Sequence, residues 1–242
     1  MRVNTFMWQL ILILSVAVYS CNKKDIVKGT TTQLKLINAS PNSGNIELLQ
    51  NLKPVGQLTY LTGMNPTVTN LTVDSGFNNY RIKKGADEIA SWLFANEGLN
   101  LSFFVCDSMI PSKAKYFFLT DNLDTTGLGK KSKIRMVHMS PDISTVDLVT
   151  THPVNPGEDS AIVSGMNYFG DFSQAIILTT SGFQNFYADS VVTIKIRKKS
   201  NNSIVKQYQF NFKKGTMYSL LLKGYAARAG KDSLSLSIIQ HN

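Results

Sequence analysis

Cysteine and histidine are scarce in this chain of 242 residues: two cysteines, Cys21 and Cys106, and three histidines, His138, His152 and His241. Scattered as they are, they make no zinc site of recognisable spacing. The acidic residues show no calcium-loop spacing. No Gly-x-Ser-x-Gly elbow and no glycine-rich phosphate loop occurs, and nucleic-acid recognition motifs are absent. The sequence therefore assigns no catalytic residue, no metal and no cofactor, and nucleic acid is not an expected partner. The one long apolar run lies at the N-terminus. Past it, no stretch holds a 3.6-residue apolar period long enough for a helix. Short alternating segments punctuated by Gly, Asn and Pro remain, which is the pattern of an all-β protein.

What the chain has is a second copy of itself. Leu34-Lys-Leu-Ile-Asn-Ala-Ser-Pro-Asn42 matches Ile134-Arg-Met-Val-His-Met-Ser-Pro-Asp142 in register, and Ile46-Glu-Leu-Leu49 falls on Val146-Asp-Leu-Val149. Gly63-Met-Asn65 then meets Gly165-Met-Asn167, and Ser75-Gly-Phe-Asn-Asn-Tyr80 meets Ser181-Gly-Phe-Gln-Asn-Phe186. Leu101-Ser-Phe-Phe-Val105 meets Tyr218-Ser-Leu-Leu-Leu222. The offset grows steadily along the chain, as loop insertions in one copy would make it. Two domains are expected, residues 33–124 and 133–242, joined by a polar linker at 125–132.

The N-terminus points to export. Met1–Thr5 carries one basic residue, and Phe6–Val18 is apolar apart from Gln9 and Ser15. Thirteen helical residues span roughly 20 Å, short of a bilayer's hydrocarbon core, so residues 1–20 read as a signal peptide. Val18-Tyr-Ser-Cys21 resembles the lipobox of bacterial lipoproteins, which implies cleavage before Cys21 and acylation of its thiol and amine. Residues 21–32 then form a lipidated cysteine and tether. Acyl chains would anchor the protein to a membrane, and Cys106 would be left without a disulfide partner. It ends the apolar run Leu101–Val105, where a buried, inert thiol is expected.

Strands are expected near 56–60, 68–73, 89–94, 99–106 and 115–120 in the first copy. In the second they are expected near 160–164, 175–179, 191–197, 203–212, 216–223 and 233–239. Leu34 and Leu36 alternate with Lys35, and Ile134 and Met136 with Arg135, as in strands with one buried and one wet face. Gly76 and Gly182 are expected at positive φ. His138 is expected to bond the Ser140-Pro141 turn, with Asn38 in the same role in the first copy. Short strands at this density predict two tandem immunoglobulin-like β-sandwich domains. The His/Asn-x-Ser-Pro-Asp/Asn strand end, the acidic residue of the next strand (Glu47, Asp147) and the Tyr218-Ser-Leu-Leu-Leu222 strand resemble domain-of-unknown-function family 4397. That resemblance implies an exported bacterial protein, often a lipoprotein, with paired β-sandwich-like domains; it assigns no functional residue.

Charge differs sharply between the copies. Residues 32–129 hold seven basic and eight acidic residues, whereas residues 130–242 hold fourteen and seven. The second domain or the linker is thus expected to meet something anionic. Lys130, Lys131, Lys133 and Arg135 form one local cluster and Lys195, Arg197, Lys198 and Lys199 the other, and Tyr168, Phe169 and Phe172 offer aromatics near Gly170. The second cluster and the three aromatics are the candidate binding surface, with the loop around His152 beside them. The expected protein is a membrane-anchored envelope lipoprotein, at the outer membrane of a Gram-negative bacterium. Its role is non-enzymatic binding or structure, toward an anionic envelope glycan or another envelope protein. The alternative is a hydrolase of envelope polymers with its site at the domain interface.

Overall fold

The computed structural model describes residues 31–41, 43–74, 76–96, 98–106, 115–151, 159–169, 176–180 and 182–241. The expected signal peptide, Cys21 and the expected tether up to residue 30, together with Phe172 and His152, lie outside the described residues; Thr31 and Thr32, expected in the tether, instead open the first strand. The first copy supplies β1 (Thr31–Asn38), β2 (Ile46–Gln50), β3 (Lys53–Leu58), β4 (Thr69–Asp74), β5 (Gly76–Lys84), β6 (Asp87–Asn96), β7 (Asn100–Cys106) and β8 (Lys115–Thr120). The second supplies β9 (Ser132–Met139), β10 (Val146–Thr151), β11 (Asp159–Met166), β12 (Ile176–Thr180), β13 (Gln184–Phe186), β14 (Val191–Lys198), β15 (Ile204–Asn211), β16 (Met217–Lys223) and β17 (Ser235–Gln240). The described residues are all-β, with a 3-10 turn at Gly230–Asp232.

Each copy makes two sheets, and their strand orders correspond. In the first copy β4, β1, β7 and β8 form one sheet, which β12 of the second copy extends beyond β8, and β3, β2, β5 and β6 form the other. In the second copy the orders are β13-β9-β16-β17 and β11-β10-β14-β15. The centre of each inner sheet is a parallel pair: Leu36 lies opposite Phe103, as Met136 lies opposite Leu220. The remaining pairs within each copy are antiparallel. This order differs from the constant-type immunoglobulin arrangement, which sets strands A, B, E and D against C, F and G.

Apolar residues at alternate positions hold each pair of sheets together. In the first copy Leu34, Leu36, Leu101, Phe103 and Phe118 meet Ile46, Leu48, Tyr80 and Ile82. In the second, Ile134, Met136, Leu220, Leu222 and Ile238 meet Val146, Leu148, Ile194 and Ile196. Both are β-sandwiches packed over a side-chain core.

The inner sheets also pack against each other. Ile37, Phe104, Cys106, Phe117 and Leu119 of the first copy form one cluster with Val137, Met139, Leu221 and Ile239 of the second, all of them buried. Residues 31–242 are accordingly one compact unit of four stacked sheet layers. The faces of β1 and β9 expected to be wet form this seam. Arg135 is consequently 2% exposed, and Cys106 is buried as expected.

Gly76 and Gly182 have φ of 114° and 51°, as expected, yet the matched sequences that follow them do different work. Gly76–Tyr80 opens β5 of an outer sheet, opposite β2 and β6. Gln184–Phe186 is β13 of an inner sheet, where Phe186 pairs with Ser132 as Val73 pairs with Thr32. No strand was expected at β5, because its alternation is inverted there. Phe77 is 76% exposed and Asn78 is buried. The Asn78 amide donates to the Asp74 carbonyl at 2.9 Å and accepts from Asn51 at 2.8 Å, which satisfies a polar side chain inside the sandwich.

Candidate functional site

Strand β14 carries the basic cluster. Val192, Ile194 and Ile196 point into the core, so Lys195 and Arg197 point outward from the outer sheet. The neighbouring strands place carboxylates among them. Lys195 Nζ lies 2.7 Å from Asp159 Oδ1, and Arg197 Nη2 lies 3.1 Å from Asp147 Oδ2. Lys199 Nζ donates to Ser164 Oγ at 2.8 Å and stands 3.8 Å from Asp147 Oδ1. Burial would raise the Asp147 pKa. The Gly165 N–H, the Ser164 hydroxyl, Arg197 and Lys199 outweigh it and hold the carboxylate below its ordinary range. The outer face is thus a ladder of paired charges; Lys198, opposite the buried Val146, stands on the other side of the strand and makes no ion pair among the described residues.

Tyr168 and Phe169 are half-buried and turn toward the seam rather than joining the cations. Phe169 stacks on Phe117 with ring centroids 5.0 Å apart, and Tyr168 stands edge-on to His138 at 6.1 Å. The Tyr168 hydroxyl lies 3.9 Å from Cys106 Sγ. His138 bonds the turn as expected. Its Nδ1 accepts from the Ser140 N–H at 3.3 Å and its Nε2 donates to the Ile143 carbonyl at 3.2 Å. Asn38 accepts from the Ser40 N–H at 3.1 Å. Asp142 takes the Ala226 and Ala227 N–H groups at 2.9 and 3.0 Å, tying the turn to the β16–β17 loop.

The densest polar group is one the sequence reading missed, at one end of the seam. Arg135 Nη2 lies 2.7 Å from Asp121 Oδ1, joining the two copies by a buried ion pair. Arg135 Nε donates to Ser219 Oγ at 2.5 Å, and Ser102 Oγ donates to Asp121 Oδ2 at 2.7 Å. Ser219 Oγ also lies 2.7 Å from His241 Nε2, and His241 Nδ1 lies 3.5 Å from Asp121 Oδ2. Because Arg135 supplies a proton to Ser219, the serine hydroxyl donates to His241, whose own proton sits on Nδ1. The Arg135 guanidinium also covers the Phe183 ring at 4.6 Å. Burial pushes the His241 pKa down to about 4, with Arg135 and Lys35 adding to it and Asp121 opposing.

Serine, histidine and aspartate in this order resemble a hydrolytic triad, but the arrangement offers no nucleophile. Ser219 is fully buried between the sheets, and its oxygen already accepts from Arg135. A cavity of about 190 Å³ reaches Asp121 and His241 beside Lys35, and Ser219 is not part of its lining. A substrate carbonyl could not approach within the ~3 Å that attack demands. At the other end of the seam Lys223 is buried, donating to Ser235 Oγ at 3.0 Å with its ammonium 4.7 Å from the centre of the Tyr60 ring. Burial pushes Lys223 down to about 8 and Tyr60 up to about 12. Among the described residues no three His, Cys, Asp or Glu side chains are placed to hold a metal ion.

One signal for the seam was present in the sequence. Strands β7 and β16 are apolar on both faces, as strands covered on two sides are, and each has a serine, Ser102 or Ser219, within the run. Compared with known proteins, the chain matches no family model and no curated protein sequence.

Proposed function

We propose that this chain is a lipid-anchored protein of a bacterial cell envelope whose second sandwich binds an anionic partner without catalysis. The observation that carries this reading is where the chemistry lies. The triad-like residues are consumed in joining the two copies, while most of the positive charge of residues 130–242, Arg135 and Lys223 apart, sits on the surface of the second copy. Paired cations such as Lys195 and Arg197 hold a fixed geometry, and the exposed Lys199 keeps the end of that face positive. The apolar N-terminal run and Val18-Tyr-Ser-Cys21 support acylation at Cys21, as in outer-membrane lipoproteins. The paired sandwiches and the Ser-Pro-Asp turn agree with membership of domain-of-unknown-function family 4397.

Two measurements on full-length protein test this. Cys21→Ser should release the protein from the membrane fraction, and intact-mass analysis of the wild type should show an acylated N-terminus. Binding to an anionic polymer such as polyphosphate should weaken steeply as salt rises. Binding indifferent to salt, or an unacylated wild type still held in the membrane, would refute the corresponding half of the reading.

A further inference from the structure

At the open side of the second sandwich, edge strands β13 and β11 flank a cavity of about 320 Å³, within the range of small-ligand sites. We propose that this cleft is a saccharide-binding site, taking a pyranose ring of an acidic oligosaccharide with Tyr187 as its stacking platform. The assignment rests on the anionic-partner reading above and names the partner's chemistry and place.

Tyr187 is 48% exposed, and its position is fixed from below. Its ring stands edge-on to Phe186 at 5.5 Å, and Phe186 stands on the buried Phe212 at 5.1 Å. The Ser132 hydroxyl donates to the Tyr187 carbonyl at 3.1 Å, pinning the backbone. An exposed aromatic held this way loses little freedom on binding, and its electron-rich face suits the C–H face of a sugar ring. The rest of the lining supplies what sugar hydroxyls need. The Gln184 and Asn185 amides both donate and accept, and Ser160 adds a hydroxyl. These three side chains are exposed and make no hydrogen bond among the described residues. Lys131 lines the same cleft beside Lys130, which favours a carboxylate-bearing sugar over a neutral one.

The first copy provides an internal comparison. Where Phe186 and the following Tyr187 stand, it has Val73 and Asp74; where Ser160 and Ala161 stand, it has Lys53 and Pro54. The aromatic, the hydroxyl and the flanking lysine pair are thus properties of the second copy alone, the one with the positive charge. Loss of the aromatic and its replacement by a carboxylate remove both the platform and the attraction for an acid.

Calorimetric titration of the full-length protein in detergent tests the assignment, with oligogalacturonate as acidic probe, maltohexaose as neutral probe and polyphosphate as a non-sugar polyanion. The wild type should bind oligogalacturonate more tightly than maltohexaose. Tyr187→Ala should weaken both sugars about tenfold, the size of one good aromatic contact, and leave polyphosphate binding unchanged. Lys131→Gln should weaken the acidic sugar alone and flatten its salt dependence. Thermal melts will confirm that both surface variants fold. Sugar binding untouched by Tyr187→Ala would overturn the site. Binding of polyphosphate with no sugar bound would overturn the saccharide assignment and leave the anionic-partner reading standing. Failure to bind any probe would remove both.

Discussion

His241 offers the sharpest test of the seam, because its protonation should loosen the joint between the two copies. The ring is fully buried, its Nε2 is already engaged with Ser219 Oγ, and burial together with Arg135 and Lys35 disfavours an added proton more than Asp121 favours it. The histidine pKa falls from 6.5 to about 4 on folding, which corresponds to on the order of 3 kcal/mol. Above pH 6.5 the ring is neutral whether the chain is folded or not, and the full stability is present. Between 6.5 and about 4 the unfolded chain takes up a proton that the folded protein refuses, so stability falls as pH falls. Below about 4 this contribution is exhausted, and protonation of Asp121, also held below its ordinary range, continues the loss. Urea unfolding at pH 7, 5.5 and 4.5 should therefore show the wild type losing about 2 kcal/mol more than His241→Gln across that window. Contributions common to both proteins cancel in the comparison. Parallel pH profiles for the two would refute the buried-neutral assignment of His241.

Further predictions concern the same interface. Arg135→Leu leaves the buried Asp121 carboxylate uncompensated and should cost about 3–5 kcal/mol, whereas Arg135→Leu with Asp121→Leu should recover most of it; chemical denaturation of the two variants beside the wild type decides. Lys223, held down at about 8, and Tyr60, held up at about 12, set an alkaline profile. Stability should rise from pH 8 toward 10.5 as the unfolded lysine loses its proton too, and fall above pH 10 as unfolded tyrosine ionises. Lys223→Met should abolish the rise, as melting temperature against pH will show. Residues 133–242 expressed alone keep the second sandwich core but uncover Val137, Met139, Leu221 and Ile239. The fragment should self-associate and melt below the full protein, which sedimentation and calorimetry can check; a stable monomer would show the seam to be dispensable.

The strand alternation and the repeat were legible in the sequence because each depends on neighbours close along the chain or on a copy of the same pattern. Leu34 and Leu36, or Ile194 and Ile196, announce one buried face whatever covers it. Strand β5 escaped because Asn78 faces inward and Phe77 outward, and only the Asp74 carbonyl and Asn51 make that inversion tolerable. The Ser-Gly-Phe match misled for a related reason. It records a common turn, and the strands after it belong to different sheets. Of the candidate basic residues, Lys195 and Arg197 stand on the outer face of β14, and their carboxylate partners Asp147 and Asp159 come from other strands that the sequence could not order beside them.

By itself the sequence determined an all-β chain of two related copies, the inward face of most strands, the bonding of the Ser-Pro turns and the charge imbalance between the copies. Only the tertiary structure decided that the supposedly wet faces of β1 and β9 meet. With that, Arg135 became a buried ion-pair partner of Asp121, and Ser219 and His241 became parts of a joint instead of a reaction centre. The physical reason is that alternation reports how apolar a face is, not which sheet will cover it. Ser102, Arg135 and Ser219 show nothing, one strand at a time, of the charged interior they share. They become one only when strands from both copies bring their charges and hydroxyls within hydrogen-bonding distance and away from water.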